Sequence, residues 1–345
     1  MNAIRGLVAV VGAVAVTRGR GAIRGFGPSP GSSGRITIGG ANRRRRRRPG
    51  VAQNVGRVLS DPAGDSFVRL AYQGEPGAYS EAAALVYGGP QVETMPCKSF
   101  DEVFEAVVKK RATHGVVPLE NSIGGTIHRN YDLLLDHELM ITGEVELDVV
   151  HCLQALPGTK ISEITVVYSH PQALAQCEQY LKNLGVTVEA VYDTAGGAKL
   201  VAEQTLKNAA ALASRRAAEV FGLQVLQEAV QDFEYNITRF AIIGGVAGAD
   251  ADKTTIVFAL PSTPGALFKA LSVFALRDIN LTKLESRPIR GRPWEYLFYV
   301  EVEARRDDMA CSRALMHLAE FAKWTRVLGT YRGWERAKAG GEQAT

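Results

Sequence analysis

The stretch EYNITRFAIIGG, residues 234–245, sets an amide, a hydroxyl and a guanidinium at the mouth of an apolar strand: Asn236, Thr238 and Arg239 come just before Phe240-Ala241-Ile242-Ile243. Three other loops share that character: YQGEPGAYS (72–80), PLENSIGGT (118–126) and SHPQ (169–172). Each sets Gly or Pro beside hydrogen-bonding side chains, which lets backbone N–H groups approach an anion. One such loop is merely a turn; four, each after a predicted strand, point to a shared ligand site. Asn236-Ile237-Thr238 also fits the N-glycosylation acceptor pattern.

The elements that carry these loops alternate. FVRLAYQG reads as a strand running into a loop, and SFDEVFEAVVKKR as a helix with Ser99 and Glu102 as a capping box. Phe100, Val103, Phe104, Val107 and Val108 give that helix one apolar stripe. HGVVPLENS is a strand, IHRNYDLLLDH a helix, and MITGEVELDVVHCLQA one long β-rich stretch. ITVVYS, the helix PQALAQCEQYLKNL stopped by Gly185, and VTVEAVY follow. Then come the helix GGAKLVAEQTL, the strand NAAALAS and the short helix RRAAEVFG. Alternation of this kind predicts α/β layers. Two units joined by the long β-stretch predict two lobes with a cleft between them, lobe one at about 66–145 plus 235–247 and lobe two at about 146–234.

From residue 253 the order becomes β-α-β-β-α-β, a ferredoxin-like module over 253–334, with 335–345 as a tail. Its first helix is expected to start with Thr263 as N-cap and Pro264 at the first helical position, and to bury Leu267, Leu271 and Phe274.

The formal charge of +4 conceals two different chains. Residues 1–60 hold twelve Arg, six of them at 43–48, and no Asp, Glu or Lys; the rest holds 28 basic against 36 acidic residues. An Arg-, Gly- and Ala-rich leader without acids has the composition of an organelle presequence, expected over 1–65. The apolar run at 6–16 leaves room for a secretory signal ahead of it, and the Arg run for a nucleic-acid-binding arm. The acidic body argues against nucleic acid, and no apolar run approaches the roughly 18 residues of a membrane span. Cys97, Cys152, Cys177 and Cys311 are widely spaced, beside apolar residues and without His at metal-ligand intervals. Buried free thiols in a reducing compartment are expected, with no metal. The glycosylation acceptor would then be silent.

The four loops, in this order and followed by a module containing ESRP, resemble the prephenate dehydratase family and its plant-type arogenate dehydratases; ENSIGGTIHRNYDLLL and SHPQALAQCE are especially similar to the latter. The resemblance covers about 68–334. It implies a two-lobed, periplasmic-binding-protein-like catalytic domain over 66–247 and a C-terminal ACT domain that senses phenylalanine. It also implies a plastid lyase that decarboxylates and dehydrates arogenate, or alternatively prephenate, without a cofactor, as a homodimer or homotetramer.

The resemblance further implies roles for residues. Thr238 would donate a proton or hydrogen bond to the departing hydroxyl, Arg239 hold a substrate carboxylate and Phe240 shield the ring. An alcohol is a weak general acid, so Glu120, Asn121 and Ser122 are candidates for a supporting network, and Glu120 with a raised pKa is a candidate for the acid itself. Gln73, Gly74, Ser80 and Thr126 would line the cleft, with His170 and Gln172 reaching in from lobe two. Phenylalanine would meet Gly265, Ala266 and Leu267, Asn280 and Leu281, and Glu285, Ser286, Arg287 and Pro288. A ligand-binding sensor without catalysis is the rival reading.

Overall fold

The computed structural model describes residues 68–334; the expected presequence and the tail lie outside the described residues. In chain order the first lobe runs β1 (Arg69–Gln73), α1 (Tyr79–Gly88), β2 (Glu93–Cys97), α2 (Phe100–Val108), β3 (His114–Asn121), β4 (Gly125–Thr126), α3 (His128–Asp136) and β5 (Ile141–Asp148). Helix α2 begins as its sequence predicts, with Ser99 Oγ accepting from Glu102 N at 3.2 Å. The reciprocal half of the box falls one residue early, Glu102 Oε2 accepting from Lys98 N at 2.7 Å. Helix α1 and β2 went unpredicted. Helix α1 buries only Ala83 and Ala84 among its apolar residues, too little contrast for a helical stripe to show in the sequence.

The predicted long β-stretch is two strands in different sheets, β5 and β6 (Cys152–Ala155). The second lobe continues with β7 (Val166–Ser169), α4 (Pro171–Gln176), α5 (Glu178–Leu184), β8 (Thr187–Ala190), α6 (Thr194–Glu203), β9 (Ala209–Ala213), α7 (Arg215–Phe221) and β10 (Gln224–Gln227). The helix predicted over 171–184 is broken at Cys177 and stopped by Gly185 in the left-handed region, φ 73°. The chain returns to lobe one as β11 (Ile237–Ile243), antiparallel between β3 and β5.

The C-terminal module is β12 (Lys253–Ala259), α8 (Ala266–Ala275), β13 (Leu281–Pro288), β14 (Tyr296–Val302), α9 (Met309–Phe321) and β15 (Trp324–Tyr331). Helix α8 starts later than predicted: Gly265, at φ 75°, is its N-cap, and Thr263 to Ala266 form a turn closed by Ala266 N on Thr263 O. The helix buries Phe274 as expected, but Ala266, Ala270 and Val273 complete its buried face and Leu267 packs only partly against that core, so the packed face lies about one residue from the one predicted.

One ten-stranded sheet runs β13-β14-β12-β15-β5-β11-β3-β1-β2, with β4 on β3; a five-stranded sheet runs β10-β6-β9-β7-β8. Successive β11 residues therefore serve two cores. Phe240 and Ile242 pack with the lobe-two helices and strands through Ala195, Ala211 and Ala217, while Ala241 and Ile243 pack with Tyr131, Val257, Leu328 and Tyr331. Strand alternation thus decides which side chain on β11 faces the second lobe and which faces the C-terminal module.

Candidate active site

Thr238 and Asn121 are register partners on β11 and β3, and both are buried. Asn121 Nδ2 donates to Thr238 Oγ1 at 3.0 Å and lies 2.7 Å from Asn236 Oδ1. Its Oδ1 accepts from Gly124 N at 2.7 Å and from Ile123 N at 3.1 Å, so the hairpin it starts holds its amide in one orientation. Because Thr238 accepts from Asn121, its own hydroxyl hydrogen is left to point at a ligand.

The network then crosses to lobe two. Asn236 Nδ2 donates to Gln176 Oε1 at 2.9 Å, and Gln176 Oε1 lies 2.9 Å from His151 Nε2. His151 Nδ1 lies 3.0 Å from the Tyr79 hydroxyl. Burial holds the His151 pKa below the usual value, so the ring is neutral. The tautomer with Nε2–H donates to Gln176 Oε1, while the single Tyr79 hydroxyl hydrogen is shared between Nδ1 and Val150 O, 2.8 Å away. Sequence reasoning missed Gln176, His151 and Tyr79. Gln172 and Gln176 share a helix face at i, i+4, and that spacing was the available signal.

Arg239 corrects the expectation of a substrate carboxylate clamp. It lies on the face of β11 opposite Thr238, and its guanidinium is taken by Glu120 at 2.9 Å, Glu144 at 2.9 Å and Glu301 of β14 at 2.6 Å. Burial opposes its charge, and Glu301 and Glu144 more than offset that, raising its pKa. Phe240 is likewise a core side chain, 2% exposed, and not a wall presented to a ring. Glu120 corrects the raised-pKa expectation. Burial pushes its carboxyl up, but hydrogen bonds from Arg239 and Lys283 outweigh that and hold it below the ordinary value. A carboxylate so held is no proton donor. On this face a cavity of about 600 Å³ is lined by Glu120, Glu144, Arg239, Lys253 and Glu301 among others.

The remaining predicted residues divide. Ser122 locks the hairpin to β11, donating to Tyr235 O at 3.2 Å and accepting from Ile237 N at 2.9 Å, instead of joining the Thr238 network. Thr126 turns away from the cleft, accepting from Lys283 Nζ and donating to Glu285 Oε2, both at 3.0 Å. His170 caps α4, its Nδ1 accepting from Gln172 N at 3.2 Å, and burial holds its pKa below the usual value. The Gln172 amide lies against Gly124 of the hairpin, where an added Cβ would come within 2.0 Å of it. Ser80 is buried at the start of α1, and Gly74, at φ 116°, binds Cys97 O through its N–H.

The first cleft loop is also latched to lobe two. Glu75 N donates to Asp193 Oδ2 at 3.2 Å, Glu75 accepts from Tyr192 at 2.8 Å and Lys199 at 3.1 Å, and Ser214 Oγ donates to Gly77 O at 2.6 Å. Among the predicted phenylalanine contacts, Gly265 caps α8, Asn280 donates to Glu303 at 2.7 Å, and Ser286 and Pro288 are exposed. Glu285 and Arg287 are engaged by Thr126 and Asp132 of the catalytic part. Ala266 is buried and Leu281 half-buried. Among the described residues no cluster suited to a metal ion occurs, and the four cysteines are buried free thiols.

The family profile for prephenate dehydratase matches residues 70–247, and that for the ACT domain matches 254–308. The chain is 52% identical to arogenate dehydratase/prephenate dehydratase 2, chloroplastic, of Arabidopsis thaliana, over 77% of this chain and 73% of that protein. It is 51% identical to arogenate dehydratase 2 of Petunia hybrida, over 77% and 72%. Among solved structures it matches a prephenate dehydratase from Arthrobacter aurescens in complex with L-Phe, with TM-score 0.70, 30% identity and coverage of 77% and 90%. It also matches GqqA, described as a novel type of quorum-quenching acylase, with TM-score 0.71, 35% identity and coverage of 77% and 98%.

Proposed function

This chain belongs to the prephenate dehydratase family, a lyase with the two-lobed α/β fold followed by an ACT domain, and from that premise we propose that it converts arogenate to phenylalanine in the plastid. The observation that carries the reading is the Asn121–Thr238 pair, a buried hydroxyl that accepts from a fixed amide and so keeps its own hydrogen to donate. The arogenate preference rests on the naming and identity of the plant relatives, the plastid on their being named chloroplastic and on the Arg-rich leader.

In this reaction the bond from the ring to a carboxylate carbon breaks, and its electron pair enters the ring as CO₂ departs. The ring C–O bond breaks in turn, and the leaving hydroxide takes one proton to become water. Arginine on the opposite face means that β11 supplies no ion pair to the departing carboxylate. A carboxylate left without a counterion in a dry cleft loses less on becoming neutral CO₂. Thr238 meets the departing oxygen, and Asn121 keeps its hydroxyl aimed. Thr238 oxygen left anionic is stabilised by the Asn121 amide and regains its proton from water. The Tyr79–His151–Gln176–Asn236 chain holds lobe two against that pair, so its work is orientation across the cleft.

Glu120, Ser122, Thr126 and Arg239 support the site from behind, whereas Gln73, Gly74, Ser80, His170 and Gln172 remain its proposed lining. The catalytic domain spans 66–247 and the ACT domain 253–334, with phenylalanine bound near Gly265–Leu267 and the Asn280–Leu281 strand start. A dimer is read from β13, the outermost strand of the large sheet, whose free edge offers a second copy its backbone. Prephenate is the second reading, favoured by the double name of the Arabidopsis relatives.

Turnover of both substrates by the purified protein tests this. Arogenate should be the faster substrate, and Thr238→Val should lower kcat on either by about 100-fold or more. Faster turnover of prephenate would move the assignment to the second reading. No turnover of either by folded protein would leave a sensor.

A further inference from the structure

Three alternate residues of β13 reach the catalytic part. Lys283, Glu285 and Arg287 are the more buried set, alternating with the exposed Thr282, Leu284, Ser286 and Pro288. Lys283 Nζ lies 3.0 Å from Glu120 Oε2 and donates to Thr126 Oγ1 at 3.0 Å; Arg287 pairs with Asp132 of α3. Lys283 keeps only 7% of its side chain exposed, with its ammonium 5.9 Å from the centre of the Tyr131 ring. A side chain buried that far depends on its polar partners, so these contacts are not the interchangeable pairs of an open surface.

Across the β3–β4 hairpin Glu120 faces Thr126, and the next pair is Asn121 with Gly125. Strand alternation therefore turns Glu120 and Thr126 toward Lys283 and turns Asn121 toward Thr238. The hairpin is seven residues long, and its two faces meet the regulatory strand and the reacting hydroxyl.

We propose that Lys283, in the regulatory domain, is a positioning residue for the dehydration. Its ammonium clamps the 120–126 hairpin and thereby fixes Asn121 on the Thr238 hydroxyl. A ligand that shifts β13 moves the same hairpin, so phenylalanine alters turnover through this clamp. This second step rests on the ACT-sensor reading given above; the first does not.

Lys283→Met keeps the aliphatic stem and removes the charge, and Lys283→Arg keeps the charge. Without phenylalanine, Lys283→Met should lower kcat about 10- to 100-fold with KM little changed, and Lys283→Arg should recover most of the loss. Thr126→Val, which removes two hydrogen bonds and no charge, should act in the same direction, in case Lys283→Met folds poorly. Amide hydrogen exchange over 120–126 should respond to phenylalanine in the parent and in Lys283→Arg but not in Lys283→Met, with phenylalanine binding checked by calorimetry. Unchanged kcat in both Lys283→Met and Thr126→Val, or an exchange response that survives Lys283→Met, overturns the proposal. If no form turns over either substrate, the dehydratase reading fails and the exchange measurement decides. If the parent binds no phenylalanine, the sensor reading fails and the kcat comparison decides.

Discussion

Arg239 holds Glu120, Glu144 and Glu301 on one guanidinium that is only 11% exposed, and Lys253 adds a second cation at 2.8 Å from Glu144. A buried set of this kind gains little over apolar packing as a whole, but removing one partner strands the others. Burial pushes the Glu144 carboxyl up, and Lys253 and Arg239 outweigh it, so its pKa lies below the ordinary 4.5. Glu144→Gln should therefore cost about 3 kcal/mol of stability at neutral pH, read from urea unfolding. A carboxyl whose folded pKa is lowered contributes in full above its unfolded value and loses that contribution as pH falls through the folded one. The deficit of Glu144→Gln should accordingly shrink below pH 4.5, because the parent's own carboxyl is then being protonated. A deficit that stays constant in acid would show that the ion pairs are not its source.

At the scale of elements, the loop between β1 and α1 closes the cleft by direct approach of backbone to backbone. Gly77 has φ 91°, and a Cβ there would meet Ala217 Cα at 2.6 Å. Ala217 lies in the first turn of α7, whose N-cap, Ser214, donates to Gly77 O. Gly77→Ala should thus carry the left-handed penalty of about 1–2 kcal/mol and also hold the lobes apart, raising KM and lowering kcat together. Gly89→Ala is the control, with φ 85° and nothing within 4 Å of the added carbon. It should lower the melting temperature without touching KM. Equal KM for the two variants would deny the loop any role in closure.

Across the whole molecule, the regulatory and catalytic sheets are one sheet through a single register pair, Gly329 of β15 with Ile141 of β5. Behind that join lies one core, in which Tyr131, Leu133 and Leu134 pack with Val257, Tyr299, Leu328 and Tyr331. Shared burial of that kind makes two domains unfold together. Calorimetry should show one transition over the described body. A Cβ on Gly329 would come within 2.2 Å of Ile141 O, so Gly329→Ala should part the sheets and split or broaden that transition. Two resolved transitions in the parent would refute the shared core.

The sequence alone determined the alternation of strands and helices and most of their order, because these rest on local signals: apolar periodicity and Gly and Pro punctuation. Ser99 capped α2 and Gly185 ended α5 as read. It also determined the family, since several motifs in one order survive without knowledge of contacts. Where local signals were weak it was silent, as at the Ala-rich α1, or early, as at α8, where Gly265 displaced Thr263 as cap. Tertiary structure alone decided what each polar side chain does. Thr238 and Arg239 are adjacent in sequence, yet a strand sends neighbours to opposite faces, and only the packed sheet says what lies on each. One face brought Asn121, Gln176 and His151 to Thr238, and the other brought Glu301 to Arg239 and Lys283 to Glu120, both from distant parts of the chain. Those partners come from distant segments, so no local pattern around 238 could have announced them.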